Sequence, residues 1–208
     1  MYYKGDMKED ILKELINIYV GQAASLLSEI VDNKIELRVP GIKIVDNEYG
    51  LESGEYPHLL KGALMVSSMR FENELKGRAE LIFPANHIKE LISLCMGEEI
   101  EQVHELAEFT DADLDIVKEI GNIVLNAVIG GLGNFLQMKI DYSMPEVKIF
   151  DNIEVEELWD RKNKRNMLIL FVTFKIGGTE IDGALIINFT LDSMKELMSK
   201  IEEIESNL

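Results

Sequence analysis

Two short stretches of the chain carry the same polar residues at the same spacing: Asp10, Glu14 and Asn17 in DILKELIN, and Asp115, Glu119 and Asn122 in DIVKEIGN. On an α-helix, positions i, i+4 and i+7 stack on one face, so each triplet predicts a polar column. The column holds no nucleophile and no histidine, and no glycine-rich phosphate loop opens either stretch, which argues against covalent or triad hydrolysis. An amide can nonetheless hold a water through one donor and one acceptor, and a carboxylate can hold an incoming lysine. That pair suits assistance to a reaction whose electrophile and metal arrive on another protein. Past Asn17 the column runs to Gly21 and Ser25, and past Asn122 to Asn126 and then Gly130 or Gly133. Small residues there would let another backbone approach.

A single exposed Glu-x-x-Asn is ordinarily a solvated helix face. Mid-helix asparagine has poor propensity, because its side chain competes for backbone hydrogen bonds. Its recurrence in one register, among neighbours that have changed, is what points to function.

The recurrence extends beyond the triplets. Shifted by 105 positions, residues 10–45 align with 115–150 without a gap and with twelve identities in 36 positions, where average residue usage gives about two or three by chance. With a further one-residue slip, KGRAELIFPANHIKELIS matches DGALIINFTLDSMKELMS. The chain reads as an internal duplication.

Each copy predicts the same elements. A long amphipathic helix, about Asp6–Val31 and Asp111–Leu136, has apolar residues at three- and four-residue spacing; Ile11, Leu12, Leu15, Ile18 and Leu27 in one copy, and Ile116, Val117, Ile120, Ile123 and Leu132 in the other, form the expected core face. LRVPGIKIV and YSMPEVKIF follow as strands with a proline inside, which suggests a bent or edge strand. Two further apolar runs per copy predict a hairpin, and a closing helix, about Ala85–Met96 and Leu191–Glu203, completes α-β-β-β-α. The fold class is therefore α/β (α+β), a single domain of two repeats, about 6–97 and 111–206. A pseudo-twofold would relate them, across one mixed or antiparallel sheet or two fused ones, with long helices packed on it. An acidic connector, 98–110, joins them.

Composition narrows the partners. A net charge of −17, from 38 acidic against 21 basic residues, leaves no basic stripe to follow a phosphate backbone or an anionic membrane. No apolar run approaches the roughly 20 residues of a transmembrane helix, and MYYKGDMKED lacks a signal-peptide core, so the expected compartment is cytoplasmic. Cys95, alone in the chain, is expected to be a buried structural thiol, and the three scattered histidines fit no metal site. Trp159, beside the basic residues 161–165, reads as a loop anchor, and Tyr2 and Tyr3 as frayed ends.

Glu14-Leu15-Ile16-Asn17-Ile18, followed by Gly21-Gln22-Ala23-Ala24-Ser25-Leu26-Leu27-Ser28, together with Glu119-Ile120-Gly121-Asn122-Ile123, resembles the paired motifs of the CheC-type chemotaxis response-regulator phosphatases, related to CheX and FliY. The family pattern, Asp or Ser, then Glu four on, then Asn three further, is met by both copies, and the resemblance covers essentially the whole chain. It implies that this chain removes phosphate from the aspartyl phosphate of a CheY-like receiver domain. Glu14 and Glu119 would contact the receiver's active-site lysine, and Asn17 and Asn122 would orient the attacking water. Asp10, Asp115 and Gly21 would support orientation or docking. The resemblance implies no cofactor on this chain, Mg²⁺ on the receiver, and a CheD-like deamidase as a further partner. The alternative is a non-catalytic adaptor or switch module that binds a response regulator or a CheD-like deamidase. The copies differ where Ile16 stands against Gly121 and Gly21 against Asn126.

Overall fold

A computed structural model of the chain describes residues 7–45, 62–97, 109–150 and 166–207. The expectations for Trp159, Tyr2 and Tyr3, and for most of the connector 98–110, fall outside them.

Helix α1 spans Met7–Val31 and strand β1 Ile35–Val45; the hairpin β2 (Leu64–Asn73) and β3 (Gly77–Pro84) leads into α2 (Ala85–Met96). The second copy begins with α3 (Asp111–Leu136). Where one strand was expected, two short ones follow, β4 (Ile140–Tyr142) and β5 (Glu146–Phe150). Hairpin β6 (Met167–Ile176) and β7 (Thr179–Phe189) and helix α4 (Leu191–Glu205) complete the chain. The result is mixed α+β, with four helices and seven strands among the described residues.

Local chemistry explains the boundaries. Thr110 opens α3 with a capping box: the Asp113 N–H donates to Thr110 Oγ1 at 3.2 Å, and the Thr110 N–H donates to Asp113 Oδ2 at 2.7 Å. Thr190 caps α4 in the same sense, its Oγ1 accepting from the Ser193 N–H at 3.3 Å. The β6–β7 turn is the two residues Gly177 and Gly178, both at positive φ, as a type I′ hairpin requires.

The strands form one antiparallel sheet in the order β1-β6-β7-β3-β2, with β4 and β5 both pairing the outer side of β2. Each copy's first strand therefore lies outside the other copy's hairpin. The order is unchanged when the two copies are exchanged, as the expected pseudo-twofold requires.

The helices bury their apolar faces on one side of this sheet. The main core joins Leu12, Ile16, Val20 and Leu27 of α1 and Val117, Val124, Val128 and Leu132 of α3 to Leu37, Leu81, Phe83, Leu170, Phe174, Leu185 and Ile187 of the strands. Alternate strand residues, among them Leu64, Val66, Ile82, Ile169 and Ile186, form a smaller cluster on the other face. One residue departs from the expected core face: Ile18 is 60% exposed. It lies one position from Asn17, at the margin of the polar column. Helix α3, at mean hydropathy 1.3, is long and apolar enough to cross a bilayer by composition. Its apolar residues are instead packed against α1 and the sheet, with Gly131 seated on the Tyr19 ring of α1.

Candidate active site

Both columns lie on the outer faces of their helices. Asp10 and Glu14 on α1, and Asp115 and Glu119 on α3, are exposed, while Asn17 and Asn122 are partly buried where each helix meets its neighbours. Asp10 accepts from Lys13 Nζ at 2.8 Å, and this hydrogen bond is the main reason the Lys13 ammonium is held above its ordinary pKa. Among the described residues neither Glu14 nor Glu119 makes an ion pair, so both carboxylates face solvent.

The two asparagines are in different chemical situations. Strand β1 has a bulge between Arg38 and Gly41, which removes Val39 from the β1–β6 hydrogen-bond ladder. Val39 is only 1% exposed, so its backbone groups need partners, and Asn17 supplies both. The Val39 N–H donates to Asn17 Oδ1 at 2.9 Å, and Asn17 Nδ2 donates to the Val39 carbonyl at 3.0 Å and to the Lys13 carbonyl at 2.9 Å. Both amide donors and the amide oxygen of Asn17 are thereby engaged, the oxygen and one donor by the bulge and the other donor by the helix's own Lys13 carbonyl.

In the second copy the residue aligned with Val39 is Met144, and there the strand breaks instead of bulging. Ser143 returns to Arg70, its N–H donating to the Arg70 carbonyl at 2.9 Å and its Oγ accepting from the Arg70 N–H at 3.0 Å. Met144 is left 71% exposed. Asn122 therefore has no bulge to satisfy. Its Oδ1 accepts from Asn126 Nδ2 at 2.8 Å, one turn further along the column, and its own Nδ2 has no partner among the described residues. The first copy has Gly21 at the Asn126 position, exposed and with open space above it.

The structure thus aligns each predicted column but, among the described residues, leaves an amide donor without a partner only in the second. Sequence reading missed the attachment of Asn17 to Val39, because a bulge 22 residues away is a tertiary event. The Gly21/Asn126 exchange was the visible signal that the columns differ. Cys95 is partly buried against the core, and burial pushes its thiol up to about 11, as expected of a structural cysteine. Among the described residues no three His, Cys, Asp or Glu side chains converge to share a metal ion.

Two relatives match the chain in sequence. The chain is 27% identical to the CheY-P phosphatase CheC of Bacillus subtilis over 143 residues, 67% of this chain and 65% of that protein. It is 22% identical to the flagellar motor switch phosphatase FliY of the same organism over 202 residues, 97% of this chain and 51% of that one. The crystal structure of Thermotoga maritima FliY superposes with a TM-score of 0.73 over 97% of this chain and 99% of that one, at 20% identity. The chain is homologous to CheC and FliY. No model of a protein family matches it. This CheC/FliY homologue spans somewhat under two thirds of CheC and about half of FliY. FliM from H. pylori, solved in a FliG–FliM complex, shares the fold at TM-score 0.64 and 13% identity, covering 90% of this chain and 94% of that one.

Proposed function

We propose that this protein accelerates hydrolysis of the aspartyl phosphate on a CheY-like receiver domain, and that α3 carries most of the activity. The observation that carries this reading is Asn122: a partly buried amide, steadied through Oδ1 by Asn126, with Nδ2 unengaged among the described residues and the exposed Glu119 one turn away. The names of CheC and FliY, both phosphatases and the first of CheY-P, supply the substrate class.

On this reading Glu119 pairs with a receiver lysine and sets the docking register. The Asn122 amide holds a water in line with the phosphorus. The water oxygen bonds to phosphorus as the bond from phosphorus to the aspartyl oxygen breaks, yielding a free aspartate carboxylate and inorganic phosphate that carries the water's proton. Positioning lowers the barrier by removing the entropy of finding an in-line water, and Mg²⁺ on the receiver neutralises the phosphoryl oxygens. Asp115 lies at the docking rim.

The test is phosphate loss from a radiolabelled receiver with Mg²⁺, using the wild type, Asn122→Ala and Asn17→Ala. Acceleration that survives Asn17→Ala and disappears with Asn122→Ala is expected. No acceleration of any cognate receiver by the wild type would overturn the reading.

A second reading, a switch or adaptor module, is favoured by the FliM fold match and by the engagement of Asn17 with its own strand. It predicts receiver binding, or binding of a CheD-like deamidase, without turnover.

A further inference from the structure

Directly before Asn122, in the middle of a 26-residue helix, stands Gly121, although glycine is among the poorest residues for a helix interior. The structure supplies its reason. A Cβ built on Gly121 would collide with Ser67 Oγ on β2 and lie 2.7 Å from Ser67 Cβ, closer than carbon atoms pack. Ser67 is 1% exposed, and its hydroxyl has no hydrogen-bond partner among the described residues. Two local rules are therefore broken at one contact, a helix-weakening glycine and an unsatisfied buried hydroxyl. The aligned residue of α1 is Ile16, a fully buried core side chain, so the first column is not seated this way.

We infer that the Gly121–Ser67 contact is a positioning device for the α3 site. It lets the helix backbone settle onto β2 one residue from Asn122, and so fixes the depth at which the Asn122 amide is presented to a docked receiver. The inference rests on the reading of α3 as the catalytic column. Gly121 and Ser67 are positioning residues, and neither touches the phosphate.

The test is Gly121→Ala, alone and together with Ser67→Gly, which moves the missing side chain from helix to strand. Three quantities are followed: single-turnover dephosphorylation, affinity for a beryllofluoride-activated receiver, and the Asn122 side-chain amide signals in ¹H–¹⁵N spectra. Lifting the helix should slow turnover by up to about a hundredfold, the order expected for a misplacement near 1 Å. Receiver affinity should hold, the Asn122 signals should shift, and the double variant should recover most of both. A folded Gly121→Ala protein with wild-type turnover and unshifted Asn122 signals overturns the inference, as does a double variant no better than the single one. If Gly121→Ala does not fold, recovery of a folded, active protein on adding Ser67→Gly supports the contact, and a double variant that stays unfolded refutes it. If the wild type dephosphorylates no receiver, the functional reading fails by itself, and the Asn122 signals still decide whether this contact seats the residue.

Discussion

The two helices carry the same Asp-x-x-x-Glu-x-x-Asn, yet one asparagine is built into the fold and the other is not. Asn17 closes the hydrogen bonds of a buried bulge in β1, whereas Asn122 stands beside a strand that breaks at Ser143–Pro145 and needs no such repair. A motif's residue types set what chemistry is possible. The backbone opposite the motif decides whether the side chain is free to do it.

The sharpest way to break this comparison is to remove each asparagine in turn. Asn122→Ala should lower receiver dephosphorylation about a hundredfold, as expected for loss of a positioned water, with little change in stability. Asn17→Ala should leave most of the turnover but destabilise the fold by about 1–3 kcal/mol, because both Val39 backbone groups lose their partners in a buried place. Turnover and urea denaturation of both variants decide the matter. Equal losses of turnover at unchanged stability would show that the columns work alike.

Next come the carboxylates. If α3 docks the receiver, Glu119→Gln should weaken receiver binding roughly tenfold, the scale of one charge-assisted hydrogen bond, while Glu14→Gln changes it much less. Titration with an activated receiver measures both. Asn126→Gly, which installs the first copy's residue, tests a smaller difference. It should release Asn122 and lower turnover several-fold at unchanged receiver affinity; undiminished turnover would mean that Asn122 needs no steadying.

The smallest effect lies away from both columns and serves as their control. Glu80 on β3 is 4% exposed, and burial holds its carboxyl above the ordinary value of 4.5, opposed by Arg78. Arg78 Nε sits 2.9 Å from Glu80 Oε1 without directing its N–H there, so the opposition is incomplete. A carboxyl raised in the folded state contributes stability that is full below 4.5 and is lost as pH rises through the folded value. Glu80→Gln should therefore raise Tm by about 2 °C at pH 7.5 and flatten its decline between acid and neutral pH. Thermal melts across that range test it, and turnover at neutral pH should stay unchanged.

Much of this was legible in the chain. Helix α3 runs over Asp111–Leu136 as the apolar spacing predicted, and α1 and α2 follow their expected bounds within a residue. The proline-containing strands were expected to be bent or at an edge, and both lie at the sheet's outer edges. The different outcomes at Pro40 and Pro145 were not legible, because Val39 and Met144 are similar in apolar character and differ in what their neighbours offer. Ile18 was misplaced for a related reason: helical spacing gives a residue's angle, while its burial depends on where the covering elements stop.

By itself the sequence determined the repeat, the helices and the two polar columns, because these depend on periodicity and on residues close along the chain. Tertiary structure alone decided that each copy's first strand crosses to the other copy's hairpin, that Asn17 is held by a bulge, and that Gly121 rests on Ser67. Each of those depends on which backbone groups remain unpaired once distant segments meet, and no local pattern records that.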